Sequence, residues 1–241
     1  MIQTALLPGW TRDTIGGKVA DRYEPPEPRP FAVLYLHPES GETPATNALF
    51  TAELRAHRLR CLAPHAGRSW WVDRICPTFD PRLTAEAHIC QNVVPWMESN
   101  WQLGGRCMAL AGTGMGGQGA VRLACKYPER FPIAASSMGA LDFQDFYGRG
   151  SPLDDMYSSR EQCRQDTAIL HLSPHDCPQL WFACSPEQEC YRGNDRLHEK
   201  LAALGIPHTA ELDGSITGDQ LIAPLLAFVV AALEREARRL A

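Results

Sequence analysis

No part of this 241-residue chain stays apolar for long. A helix that crosses a bilayer needs about 20 predominantly apolar residues, and charged residues or proline interrupt every stretch before that. No charge of one sign dominates either: 23 Lys and Arg stand against 28 Asp and Glu, a net charge of −5. Nucleic-acid partners select a basic excess on one face, so neither a nucleic acid nor a membrane is an expected partner. The nine cysteines contain no C-x-x-C pair and their number is odd, which argues against a disulfide framework and against a cysteine-built metal site. Most of them sit in apolar segments, where a thiol behaves as a small buried hydrophobe; only Cys184 and Cys190 are close in sequence. Met1 to Gly9 has neither the basic start nor the long apolar middle of a signal peptide, so the cytoplasm is the expected compartment. Internal repeats and low-complexity segments are also missing.

What is present is the composition of an ordinary globular protein, 44% apolar and 21% charged, in a chain long enough for one sizeable core. The whole of 1–241 is expected to be a single domain, with 1–30 an extended lead-in because prolines crowd its end, and 142–178 a lid or insertion. Short apolar runs at 31–37, 60–64, 106–111, 131–136, 179–183 and 208–212 read as buried strands. Helical spacing fills the intervals at 45–57, 84–97, 118–126, 194–204 and 221–240, with Gly205 a good helix stop. Strand and helix alternating over the whole length predict an α/β fold, a mostly parallel sheet with helices on both faces.

Chemistry concentrates in one turn, Gly112-Thr113-Gly114-Met115-Gly116-Gly117, between a predicted strand and a predicted helix. Its glycines match the spacing of a dinucleotide-binding turn, but the turn lies mid-chain and no acid follows at the expected distance. No cofactor and no metal is therefore expected; His171 and His175 are four apart with Pro174 between them, which does not make a helical metal face. The same turn fits G-x-S-x-G, the nucleophile elbow, in which the flanking positions must be small and the central residue is strained. Here the central residue is Gly114.

Met115-Gly116-Gly117-Gln118-Gly119-Ala120, the Tyr127-Pro128 break, the strand Val33–His37, and Asn194–Leu201 running into Gly205-Ile206-Pro207-His208 occur together in order. In these pieces, from about residue 31 to 230, the chain resembles the esterase family that contains esterase D, also called S-formylglutathione hydrolase, within the α/β-hydrolase superfamily. The resemblance implies that fold and a Ser-His-acid mechanism. Position by position it also implies vacancies. Gly114 holds the nucleophile position, Gln188 the acid position, and Ile216 or Asp219, according to where a gap falls, the histidine position. The oxyanion hole would use the Met115 N–H and one donor from the loop after the first strand, where Pro38 has none to give.

The expectation is a hydrolase homologue that has lost hydrolysis and serves a binding or scaffolding role, with a small-molecule or acyl ligand in a vestigial cleft lined by His37, Trp70 and Trp71. The two tryptophans read equally well as core packing. An association with itself or with another chain is left open. The alternative is an active carboxylesterase or thioester hydrolase using displaced groups: Ser137, which sits in an elbow-like Ser-Met-Gly, Glu187, Glu189 or Asp219, or a Cys184 or Cys190 thiol working with His198.

Overall fold

The computed structural model describes residues 5–104 and 106–240. Eight strands form one sheet: β1 (Trp10–Ile15), β2 (Lys18–Tyr23), β3 (Ala32–Leu36), β4 (Arg60–Pro64), β5 (Met108–Thr113), β6 (Ile133–Ser137), β7 (Gln179–Ala183) and β8 (His208–Glu211). Their order across the sheet is β1-β2-β4-β3-β5-β6-β7-β8. From β4 to β8 every pairing is parallel, while β1–β2 and β2–β4 are antiparallel. The strands expected from the apolar runs are all present, and the α/β architecture follows from them.

The segment 1–30 is not a lead-in. Residues 10–23 of it make the β1–β2 hairpin that extends the sheet, closed by Gly16 and Gly17 at φ 55° and 78°. A two-residue turn with both φ positive is the type I′ geometry that matches strand twist, and Gly-Gly supplies it without steric cost. Pro8 lies just before the hairpin and the proline cluster begins at Pro25, after it has ended, so no proline falls inside either strand.

Period-2 alternation assigns each strand's side chains to two cores. Ala32, Leu34 and Leu36 of β3 face one, together with Leu62, Leu110 and Phe182. Val33 and Tyr35 face the other, with Cys61, Ala109, Ala111, Ile133 and Ala135. The first core is covered by the helical stretch α2 (Ala85–His88), a π-helical turn Ile89–Val93 and α3 (Val94–Trp101), and by α4 (Met115–Lys126). The second is covered by α1 (Ala48–Ala56) and the 19-residue α9 (Ile222–Leu240), whose Leu225, Leu226, Val229, Val230 and Leu233 form its buried stripe. Each such side chain contributes about 1.5–3 kcal/mol when removed from water.

Between β6 and β7 the chain makes an excursion through the short helices α5 (Leu153–Met156), α6 (Arg160–Arg164) and α7 (Ala168–His171). Phe143, Leu153, Tyr157, Cys163 and Ala168 from it are buried in the first core. A fully buried Arg122 on α4 straps it down: the guanidinium donates to Glu86 of α2 and to Asp166 before α7. Lys126 and Tyr127 also donate to Glu86, each at 2.6 Å, and Tyr157 donates to Asp166 at 2.6 Å. After β7, helix α8 (Tyr191–Ala203) leads to edge strand β8.

Candidate functional site

The register sets the site. Leu36 of β3 lies beside Gly112 of β5, and Thr113 beside Ser137 of β6. The loop after β3, the β5–α4 turn and the end of β6 therefore meet at the carboxyl edge of the sheet, where ligands bind in open α/β folds.

Gly114 stands between β5 and α4 at φ 57°, ψ −119°. That backbone is strained for any residue with a side chain, at about 1–3 kcal/mol, and it is the strand-to-helix corner of a nucleophile elbow. The flanks explain the glycine density. A Cβ on Gly116 would lie 1.8 Å from the Leu36 carbonyl oxygen, and one on Gly112 would lie 2.4 Å from the Gly116 carbonyl carbon. At Gly114 the opposite holds: a Cβ would meet only Pro38 Cβ, at 3.7 Å. There is room for a side chain at this position, and glycine supplies none.

The first intrahelical bond of α4 runs from the Gln118 N–H to the Gly114 carbonyl, 3.0 Å. The amides of Met115, Gly116 and Gly117 are thus the donors that any helix leaves free at its start, and the Met115 N–H keeps its place beside the elbow. The facing loop is closed on itself: the Pro38 carbonyl accepts from the Gly41 N–H at 3.0 Å.

His37 does lie beside the elbow, but it is pinned. Its Nε2 accepts from the Ala66 N–H at 2.9 Å, so Nδ1 carries the proton and donates to the Pro38 carbonyl at 2.7 Å. Burial pushes its pKa down to about 4, with repulsion from His65 acting the same way against the Pro38 hydrogen bond. With both nitrogens committed it has no lone pair to offer a reacting group. Trp70 and Trp71, at 1% and 0% exposure, are core residues rather than cleft walls. The Trp71 indole donates to the His37 carbonyl at 3.1 Å, and Gln118 donates to the Trp70 carbonyl at 2.8 Å. Together they clamp α4 to the loop after β3.

Gln188 is exposed on the loop after β7, its N–H bonded to the Ser185 carbonyl at 3.0 Å. Glu187 accepts from the Ser185 hydroxyl and Glu189 pairs with Arg149. Ile216 packs against the second core, whereas Asp219 reaches the cleft. The thiols of Cys184 and Cys190 are 3.5 Å apart, and Cys190 also lies 3.3 Å from the Met138 carbonyl. The hydrogen bond between them pushes Cys184 up, with burial acting the same way, and holds Cys190 down against its own partial burial. His198 is not their base: its Nδ1 meets His208 Nε2 at 2.8 Å. His171 meets Asp166, not His175. Ser137 ends β6 and gives its carbonyl to the Gly114 N–H at 3.0 Å. The next residue, Met138, has φ 49°, but no helix follows, so the elbow context is missing there.

A cavity of about 390 Å³ opens directly against the elbow, with Pro38 and Thr113 in its wall. Tyr35, Phe50, Leu221, Ile222 and Leu225 make its apolar side; Thr43, Asn47, Thr113 and Ser137 supply polar atoms; Glu42 and Asp219 lie exposed at its rim. The Tyr35 hydroxyl donates to Thr113 Oγ1 at 3.1 Å, and burial raises its pKa to about 12. Apart from Ser137 and Asp219, sequence reading missed these walls because they come from five separate segments. It also missed Asp21, which lies within the supposed lead-in. Burial alone would raise that carboxylate, but hydrogen bonds from His65, Arg12 and Thr43 hold it down at about 2. The resulting network ties the hairpin to β4 and to the cavity wall at Thr43.

A family model described as "Putative esterase" matches residues 80–207, just over half of the chain. An esterase of Mycobacterium tuberculosis is 27% identical over 176 residues, covering 60% of this chain; the chain spans only 38% of that relative's length. Among solved structures, the fluorophosphonate-binding serine hydrolase FphF of Staphylococcus aureus superposes with a TM-score of 0.75 at 16% identity, over 92% of this chain and 97% of that one. An S-formylglutathione hydrolase from Agrobacterium tumefaciens gives 0.73 at 14% identity, over 97% and 98%. At such identities the superpositions establish the α/β-hydrolase fold and nothing finer.

Proposed function

The chain belongs to this esterase family, and from that premise we propose that it binds a small ligand in the cleft at the elbow without hydrolysing it. The observation that carries this reading is Gly114: elbow geometry and side-chain space are kept, and the atom that would attack is missing. The commitment of both His37 nitrogens and the exposed Gln188 at the acid position support it further, because acyl transfer at an elbow needs a base and a charge to orient it. The free Met115 N–H and the adjoining cavity support retained binding, since both survive without a nucleophile.

The second reading, an active esterase using displaced groups, draws on Ser137, whose side chain lines the cavity. One experiment separates the two. The purified protein is treated with a fluorophosphonate probe and assayed against p-nitrophenyl acetate and an S-acyl thiol. The proposal expects no covalent adduct and turnover indistinguishable from buffer. An adduct mapped to Ser137, with esterolysis lost in Ser137→Ala, would overturn it.

A further inference from the structure

The cleft's charge selects its ligand. None of the residues that line it is Lys, Arg or His, whereas two, Glu42 and Asp219, are carboxylates. The first lies on the loop after β3 and the second in the turn Gly218–Leu221 before α9, so two separate segments each bring a carboxylate to the cleft. Asp219 is held in place by the Asn47 side-chain amide, which donates to it at 3.2 Å. Below them the wall is aromatic and aliphatic: Tyr35 and Phe50 meet edge to face at 5.1 Å, and Leu221, Ile222 and Leu225 complete the surface. At the inner end Ser137, 5% exposed, lines the cavity, and its hydroxyl has no hydrogen-bond partner among the described residues. That hydroxyl is left accessible within the cavity and is available to a polar atom of a ligand. The volume, about 390 Å³, lies in the range of small-molecule sites.

We infer that the cleft takes a cationic amphiphile, an ammonium group held between Glu42 and Asp219 with an apolar body against Phe50 and Leu225, and that it discriminates against carboxylates. This rests on the reading of the cleft as a binding site and adds the class of ligand to it. The chain's net charge of −5 acts in the same direction at long range.

The test is calorimetric titration of the full chain with octylammonium, octanol and octanoate at low and high salt. Two rim-exposed carboxylates predict that octylammonium binds about three- to tenfold more tightly than octanoate at low salt, and that the ratio shrinks as salt rises. The double variant Glu42→Gln/Asp219→Asn should bring the ratio close to one while leaving octanol affinity and melting temperature unchanged. Octanoate binding as tightly as octylammonium, or a preference that survives in the double variant, overturns the assignment of ligand class and leaves the binding reading standing. Binding of none of the three overturns the binding reading itself.

Discussion

The elbow makes a quantitative claim about three glycines within five residues. Gly114→Ala adds a methyl where the nearest atom is Pro38 Cβ at 3.7 Å, so sterics cost nothing and only the backbone at φ 57°, ψ −119° resists. Holding a side chain in that region costs about 1–3 kcal/mol, and the stiffer unfolded chain returns about 0.4–1 kcal/mol. The net loss should be about 1–2 kcal/mol, a melting temperature lower by about 2–8 °C for a domain of this length. Gly116→Ala is a different perturbation. Its methyl would sit 1.8 Å from the Leu36 oxygen, so β3 and α4 must separate by more than an ångström at the centre of the sheet. That belongs with the severest core lesions, more than about 4 kcal/mol. Urea denaturation with a shared m-value measures both. Equal losses at the two positions, or a benign Gly116→Ala, would refute the elbow geometry. Gly114→Ser should behave as Gly114→Ala does and gain no esterolysis, because the one adjacent imidazole has both nitrogens occupied.

Acid should destabilise the fold in two stages. His37 and His88, each pushed down to about 4 from 6.5, leave the unfolded chain binding more protons between those values. Stability therefore falls as pH drops from 6.5 to 4, by roughly 3 kcal/mol per histidine. Asp21, held at about 2 against 3.8 unfolded, contributes stability above 3.8 that is lost as pH falls through 2. Urea midpoints across pH 2–8 check both; a flat profile between 6.5 and 4 would remove the buried neutral histidines from the account. Arg122→Ala should cost about 3–5 kcal/mol, since it leaves Glu86 buried beside fewer counter-charges. Arg122→Met with Glu86→Gln should recover a substantial part of that loss, and a double variant as unstable as the single would place the cost in packing. Gly16→Val/Gly17→Val, which forces two branched residues to positive φ, should fray the hairpin and speed its amide exchange while the parallel sheet keeps its protection.

Several features were fixed by composition and spacing alone. Apolar runs of five or six residues separated by helical intervals determine a parallel sheet, because such strands are buried on both faces and their connections must cross over. The vacancy at Gly114 was likewise readable, since a glycine-flanked strand-to-helix turn admits one local geometry and the residue at its centre has no functional atom. The hairpin at 10–23 has its own local signal, Thr14-Ile15-Gly16-Gly17-Lys18-Val19, which is separate from the proline cluster that follows it.

Tertiary structure decided the rest, for a physical reason: what a side chain can do depends on partners brought from elsewhere. His37 reads as a cleft-lining residue in the sequence and becomes a pinned structural one only when the Ala66 amide arrives from beyond β4. Trp70 and Trp71 had equal claims on cleft and core until α4 was laid over them. The cavity exists only where the ends of β5 and β6, the loop after β3 and the start of α9 converge, and no single segment carries its pattern. Gly114 set the question of chemistry along the chain; the walls around it, acidic at the mouth and apolar within, were assembled by the fold.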